Sequence, residues 1–306
     1  MRILLAKPRG FCAGVECAVR CVERAIERYG APVYVLNHIV HNAVVVRGLM
    51  EQGAVFVRNL DEAPEGALVL FSAHGVGPER WEQARRRALN VIDATCPLVE
   101  KVHREARLFA ERGYSIVLVG QAGHDEVTGT LGWAPDHIQV VFSEEDAATV
   151  KVADPAKAAY VTQTTLSVRD CEQIVLALKQ RFPNIEGPPA DDICYATQNR
   201  QGAVLALAPR TDLVLVVGDK TSANSARLAQ ICRELGKPSH LIGGADMIND
   251  AWLTSVRTVL VTSGASAPEF LVQEVVKRLN AKEPCEVEEC EVIQEDVHFP
   301  LPEAVR

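Results

Sequence analysis

Aromatic residues make up only 5% of this 306-residue chain, and its apolar content, 48%, comes mostly from Val, Leu and Ala. That composition suits an α/β protein with buried parallel strands better than a core built on large rings. No extended basic block occurs and the formal net charge is −8, which argues against nucleic acid or an anionic membrane surface as the main partner. A small anionic ligand stays open, because neutral donors and helix N-termini bind anions. No apolar stretch approaches the roughly 20 residues of a membrane span. The opening Met1–Lys7 is too short and too soon charged for a signal peptide, so a cytoplasmic protein is expected. There is no Walker motif and no G-x-G-x-x-G fingerprint, which leaves nucleotide binding without support.

What is present is cysteine, nine of them. In a cytoplasmic chain this points to metal or redox chemistry more than to disulfides, and an odd count cannot pair fully within the chain.

Strand-like runs alternate with helical patterns along the whole length. Strands are predicted at Ile3–Ala6, Val33–Leu36, Ala67–Phe71, Ile116–Val119, Val140–Phe142, Ala159–Thr162, Leu213–Val217 and Val259–Thr262. Helices are predicted at Val15–Tyr29, Leu98–Arg112, Val168–Phe182, Asn224–Leu235 and Pro268–Leu279. The alternation reads as βαβ units with parallel sheets.

A longer regularity overlies it. Three times the chain runs through a cysteine, a helix, a strand and a small-polar loop, starting at Cys12, Cys96 and Cys194. The loops place His41 29 residues after Cys12, His124 28 after Cys96, and Ser222 28 after Cys194. Each third ends a later strand in a second polar loop: Ser72-Ala73-His74-Gly75, Thr162-Gln163-Thr164-Thr165 and Thr262-Ser263-Gly264-Ala265-Ser266. Such self-similarity outranks any local motif in deciding architecture. The expected fold is therefore α/β, with three pseudo-threefold-related domains, each a small, mostly parallel sheet flanked by helices. The expected boundaries are 13–96, 97–193 and 194–281, with the strand in 1–12 at the central junction and an acidic tail, 282–306, outside the repeats. A pseudo-threefold axis would gather the three cysteines at its centre, and the six loops fall at strand carboxyl ends, where α/β sheets bind ligands.

In Thr95-Cys96-Pro97 the proline suits the first helical position, so Cys96 is placed at a helix N-terminus; Cys12 and Cys194 follow by the repeat. The partial positive charge there favours thiolate and any anionic cluster built on it. Cys12, Cys17 and Cys21 form a rival C-x4-C-x3-C run. Cys17 and Cys21, however, sit at i,i+4 within a continuous helix, and their repeat counterparts cannot ligate in the same way. Cys171, Cys232, Cys285 and Cys290 lack repeat mates as well. Three thiolates without a fourth fit a cubane cluster with one open iron, or a three-ligand catalytic zinc.

The loops add His41, His74 and His124, and the neutral donors Ser222, Asn224, Ser225 and Ser266. Together they describe a donor-rich, low-charge site for a diphosphate or carboxylate. Glu126, two residues after His124, is placed to deliver a proton, and Thr164 to relay one or position the substrate.

These stretches closely resemble the 4-hydroxy-3-methylbut-2-enyl diphosphate reductase family, the last enzymes of the methylerythritol phosphate route to isoprenoids. The resemblance rests on Gly10-Phe11-Cys12-Ala13-Gly14, Val40-His41-Asn42, Ser72-Ala73-His74-Gly75-Val76 and Asp93-Ala94-Thr95-Cys96-Pro97. It rests equally on Gly123-His124-Asp125-Glu126-Val127, Thr162-Gln163-Thr164-Thr165, Asp192-Ile193-Cys194-Tyr195-Ala196-Thr197 and Gly264-Ala265-Ser266-Ala267-Pro268. It runs from Met1 to about Leu279.

The resemblance implies a trefoil enclosing a 4Fe-4S cluster on Cys12, Cys96 and Cys194, found as 3Fe-4S once the unligated iron is lost. That iron would bind the substrate hydroxyl, which two electrons and two protons remove as water through an allyl intermediate, giving isopentenyl or dimethylallyl diphosphate. Glu126 is then the proton source, assisted by Thr164. His41, His74, Ser222, Asn224 and Ser266 hold the diphosphate, and His124 lies near both phosphate and proton path. Flavodoxin or ferredoxin supplies the electrons. Two positions depart from the family pattern: Ala223 removes one hydroxyl donor, and Cys17 stands where arginine is common. Two other readings use the same cysteines, an electron carrier or sensor without substrate and a zinc hydrolase.

Overall fold

The computed structural model describes residues 1–306, with twelve strands and ten α-helices. They fall into two compact units: Met1–Val15, His41–Val45 and Tyr195–His298 in one, Glu16–Val40, Val46–Cys194 and Phe299–Arg306 in the other. There are three sheets, all parallel.

The chain opens with β1 (Arg2–Lys7) and α1 (Ala13–Tyr29). Next come β2 (Val33–Leu36), α2 (Ala43–Gln52), β3 (Ala54–Val57), β4 (Leu68–Phe71), α3 (Pro78–Arg86) and β5 (Asn90–Asp93), which build a sheet of order β3-β2-β4-β5. The following stretch, α4 (Pro97–Glu111), β6 (Ser115–Val119), α5 (Asp125–Trp133), β7 (Ile138–Val141), α6 (Glu144–Thr149), β8 (Ala158–Thr162) and α7 (Val168–Arg181), builds a sheet of order β7-β6-β8. Strands such as Val69–Phe71 and Ile116–Val119 are apolar at every position and wholly buried, as expected of parallel strands covered on both faces. In α4 the buried positions Val99, Val102, Ala106 and Phe109 recur every three or four residues, a helical stripe turned to the core.

The other unit holds α8 (Tyr195–Leu207), β9 (Leu213–Val217), α9 (Ala223–Glu234), β10 (Ser239–Ile242), β11 (Thr258–Ser263), α10 (Glu269–Lys282) and β12 (Glu286–Glu291). With β1 they form a five-stranded sheet, β10-β9-β11-β1-β12. β1 thus sits between β11 and β12, paired in register from Arg2 opposite Thr258 and Glu286. β12 comes from the acidic tail, whose sequence EVEECE shows no buried alternation. It is held as an edge strand by charge pairing with the N-terminal segment: Arg2 with Glu288, Lys7 with Glu291 at 3.1 Å, and Arg9 with Glu289 at 2.8 Å.

All predicted strands and helices are present within a few residues at their ends. The elements α2, α3, α5, α6, β3, β5, β10 and β12 had no predicted range, since segments of four to ten residues without a clear apolar run give too few periods to separate helix from strand, and α8 was expected only from the repeat, as the helix after Cys194. No helix is long and apolar enough to cross a membrane.

Candidate active site

Each of Cys12, Cys96 and Cys194 directly precedes a helix: α1, α4 and α8. Cys96 is the extended N-cap residue of α4 with Pro97 behind it. No disulfide forms, and all three are partly exposed.

In the unit containing Cys96 and Cys194, the polar groups close around Glu126. His124 caps α5, its Nδ1 accepting the Glu126 N–H at 3.2 Å, which leaves the ring proton on Nε2. The His74 and His124 rings meet edge to face, with centroids 5.9 Å apart. The Glu126 side chain turns inward and is 2% exposed. Its Oε1 accepts the Thr164 N–H at 2.6 Å and its Oε2 the Thr164 hydroxyl at 3.1 Å. The Thr164 carbonyl in turn accepts the N–H of Cys194 at 3.0 Å, and the Ala73 carbonyl, beside His74, accepts the N–H of Cys96 at 3.0 Å. One bonded chain therefore links carboxyl, threonine and the Cys194 turn.

Burial pushes the Glu126 carboxyl up to about 7; the Thr164 donors pull the other way, and the Asp192 charge adds to the rise. A carboxyl so placed holds a proton near neutrality and can give it up, as a general acid must.

The other unit carries a hydroxyl cluster. Ser222 caps α9, its Oγ accepting from the Ser225 N–H at 3.3 Å and the Ser225 hydroxyl at 3.1 Å. Ser266 donates to the His41 carbonyl at 3.0 Å and lies 3.4 Å from Ser222 Oγ. Asn224, in the first turn of α9, is 4% exposed, yet neither its Oδ1 nor its Nδ2 has a partner. A buried amide without partners costs about 1–3 kcal/mol, so its placement at a helix N-terminus among hydroxyls is the signature of a site shaped for a ligand. Cys12 is held in the same unit, its N–H on the Ala265 carbonyl at 3.2 Å. Ala223 opens α9, so its missing hydroxyl leaves the backbone N–H groups of that turn in place.

Two glycines make this packing possible. A Cβ at Gly264 would lie 1.9 Å, and one at Gly218 2.3 Å, from Ser225 Oγ. Gly264→Ala is therefore expected to displace the Ser225 hydroxyl and raise KM for an anionic substrate several-fold more than it lowers kcat. Steady-state kinetics on the variant checks this.

Residues matching the LytB protein family run from 3 to 280. The chain belongs to the LytB family. A 4-hydroxy-3-methylbut-2-enyl diphosphate reductase of Azoarcus sp. (strain BH72) is 53% identical over 304 residues, 99% of this chain and 97% of that protein. The protein of the same name from Mycolicibacterium paratuberculosis is 54% identical over 306 residues, 100% of this chain and 92% of that one. Among solved structures, the E-1-hydroxy-2-methyl-but-2-enyl-4-diphosphate reductase of Plasmodium falciparum superposes with a TM-score of 0.96 at 36% identity, covering 99% of this chain and 96% of that one. The Plasmodium falciparum structure shares the α/β architecture of this LytB chain, whose sheets are three and all parallel.

Sequence reasoning passed over several residues that brace these loops of the LytB chain. Gln163, 1% exposed, accepts the Gln121 N–H at 2.9 Å through Oε1 and so ties the His124 loop to the Thr164 loop. Asp192 accepts the Thr162 N–H at 2.8 Å and pairs with Lys101 at 2.6 Å. Asp219 accepts the Ala43 N–H at 3.0 Å, two residues after His41. Burial raises the Asp219 carboxyl, but the N–H groups of Thr221 and Ala43, the Thr221 hydroxyl and the His41 charge hold it below its usual range. Gln163 and Asp192 stand inside quoted motifs and Asp219 three residues before Ser222, but nothing in those stretches tells a loop-bracing side chain from its neighbours. Cys17 lies in α1 with its thiol on the Pro300 carbonyl at 3.7 Å and beside Cys21, a packing role within one helix face.

Proposed function

We propose that this protein reduces 4-hydroxy-3-methylbut-2-enyl diphosphate to isopentenyl and dimethylallyl diphosphate, the terminal step of the methylerythritol phosphate route. The buried Glu126 carboxyl, bonded at both oxygens to Thr164 and through Thr164 to the Cys194 turn, is the observation that carries this reading. The names of full-length relatives above 50% identity supply the substrate.

The donor set fits an iron–sulfur cluster: three thiols at helix starts, without the short paired spacings of a closed zinc site. Cys12, Cys96 and Cys194 would hold a 4Fe-4S cluster, which when bound supplies electrons and a Lewis-acidic iron for the substrate's hydroxyl. The chain's own groups do the rest. Asn224, Ser222, Ser225 and Ser266 bind the diphosphate, aided by the α9 N-terminus and by His41 and His74. Thr164 aims the Glu126 carboxyl, which delivers a proton to the departing hydroxyl, and His124, with its ring proton on Nε2, stands beside that path. Burial of the carboxyl keeps bulk water from exchanging freely with the proton it holds. A flavodoxin or ferredoxin serves as electron donor.

Anaerobically reconstituted protein is expected to be brown and to turn over the hydroxylated diphosphate with a reduced viologen; a colourless, zinc-loaded protein would overturn the reading. Because Glu126 gives up its proton near pH 7, kcat is expected to fall as pH rises through 7. A kcat flat from pH 6 to pH 8.5 would remove Glu126 as the rate-limiting donor.

A further inference from the structure

Midway along the acidic tail, Glu295 reaches the turn before Cys12 through Arg200. Arg200 of α8 is fully buried. Its Nη2 donates to the Gly10 carbonyl at 2.8 Å, and its Nη1 donates to the Ala196 carbonyl at 2.9 Å and to Glu295 Oε1 at 3.0 Å. Glu295 also accepts from Asn199 Nδ2 at 3.0 Å. Gly10 lies two residues before Cys12, in the left-handed region at φ 73°, with its N–H on Ser263 Oγ at 2.7 Å. On the next side of the same turn, Arg9 pairs with Glu289 of β12 at 2.8 Å and Glu269 of α10 at 2.9 Å. Ala13 donates its N–H to Tyr195 Oη at 3.3 Å. The Cys12 turn is thus gripped by two arginines, each balanced by a carboxylate from the C-terminal segment.

We propose that Glu295 is a positioning residue for the metal centre, acting through Arg200 to shape the Cys12 turn and to cancel a buried positive charge beside it. This rests on Cys12 being a cluster ligand, as proposed above. A guanidinium removed from water demands a partner, and Glu295 supplies the carboxylate that balances it. Nearby net charge is among the factors that set the potential of an iron–sulfur centre. With Glu295 in place the pair is close to neutral; without it the Cys12 turn faces an unbalanced cation, which favours the reduced, more negative cluster.

The test is a redox titration of the reconstituted full chain, read by EPR. Glu295→Gln keeps the side-chain shape and the acceptor for Asn199 but removes the charge, and its midpoint is expected to move positive of wild type. Glu295→Asp retains the charge and is expected to return to the wild-type midpoint. A merely structural role would disturb both variants alike, so an unmoved or negatively shifted midpoint in Glu295→Gln overturns the proposal. If Glu295→Gln does not accumulate folded, Arg200→Gln with Glu295→Gln leaves no buried charge. That double variant is expected to keep the wild-type midpoint while a chelator strips its cluster several-fold faster, because Gly10 has lost its donor; an unchanged stripping rate sinks the idea. Wild-type protein that takes up no iron and sulfide refutes the cluster assignment instead, and leaves a result distinct from either.

Discussion

Glu126→Gln is expected to lower turnover by about 10²–10⁴-fold, the range typical of a lost general acid, while leaving the absorption and EPR of the bound cluster unchanged. The amide keeps the volume of the carboxyl and an acceptor for Thr164, so the loop that leads to Cys194 stays in place. What disappears is the exchangeable proton. The same variant carries a second signature that does not depend on activity. The Glu126 carboxyl sits at about 7 in the folded chain against 4.5 when free, so the native state binds its proton more tightly than the unfolded state. Stability contributed by that proton is complete below pH 4.5 and is lost as pH rises through 7. At pH 8 the wild type must hold a buried carboxylate, and the glutamine variant need not. At 1.36 kcal/mol per unit the variant is expected to gain up to about 3 kcal/mol relative to its standing at acid pH. Denaturation by urea at pH 5 and pH 8 measures the difference. An unchanged difference in stability between the two pH values would show that Glu126 is ionised without penalty, and would remove the physical basis for its role.

Replacing Cys12, Cys96 or Cys194 by Ser is expected to cost nearly all bound iron, whereas Ala at Cys21, Cys171 or Cys232 leaves iron content at wild-type level. The reason lies in ionisation. A cluster ligand is a thiolate. Burial pushes the Cys171 and Cys232 thiols up to about 12, and Cys21 is raised further by its hydrogen bond with Cys17 and by its burial. These side chains remain protonated core residues, and Cys21 and Cys232 are wholly enclosed. The three repeat-matched cysteines are partly exposed and stand where a helix presents its unbonded N–H groups. Cys17 is the discriminating case, since contact with Cys21 brings its thiol down to about 7. Its position one turn inside α1, away from any helix start, predicts that Cys17→Ala also keeps its iron. Iron and acid-labile sulfide assays on the seven variants decide the matter, and iron lost from Cys17→Ala with iron kept in Cys12→Ser would reverse the assignment.

Much of this was legible in the sequence because it depends on order alone. The spacing of Cys12, Cys96 and Cys194 against the polar loops survives any folding detail, and apolar runs such as Leu213–Val217 announce buried parallel strands before any coordinates exist. Proline after Cys96 marks a helix start by a local steric rule. Tertiary structure alone decided three other things. β1 joined the sheet of β9–β11, and the tail strand β12 closed its edge, because strand pairing is chosen by hydrogen-bond partners distant in sequence. Glu126 became an acid suited to neutral pH because Thr164, 38 residues away, and the surrounding core removed it from water. Arg200 and Glu295, 95 residues apart, became a pair only when the chain folded back on the Cys12 turn. Desolvation and long-range pairing are properties of the packed molecule, and no local pattern of residues encodes them.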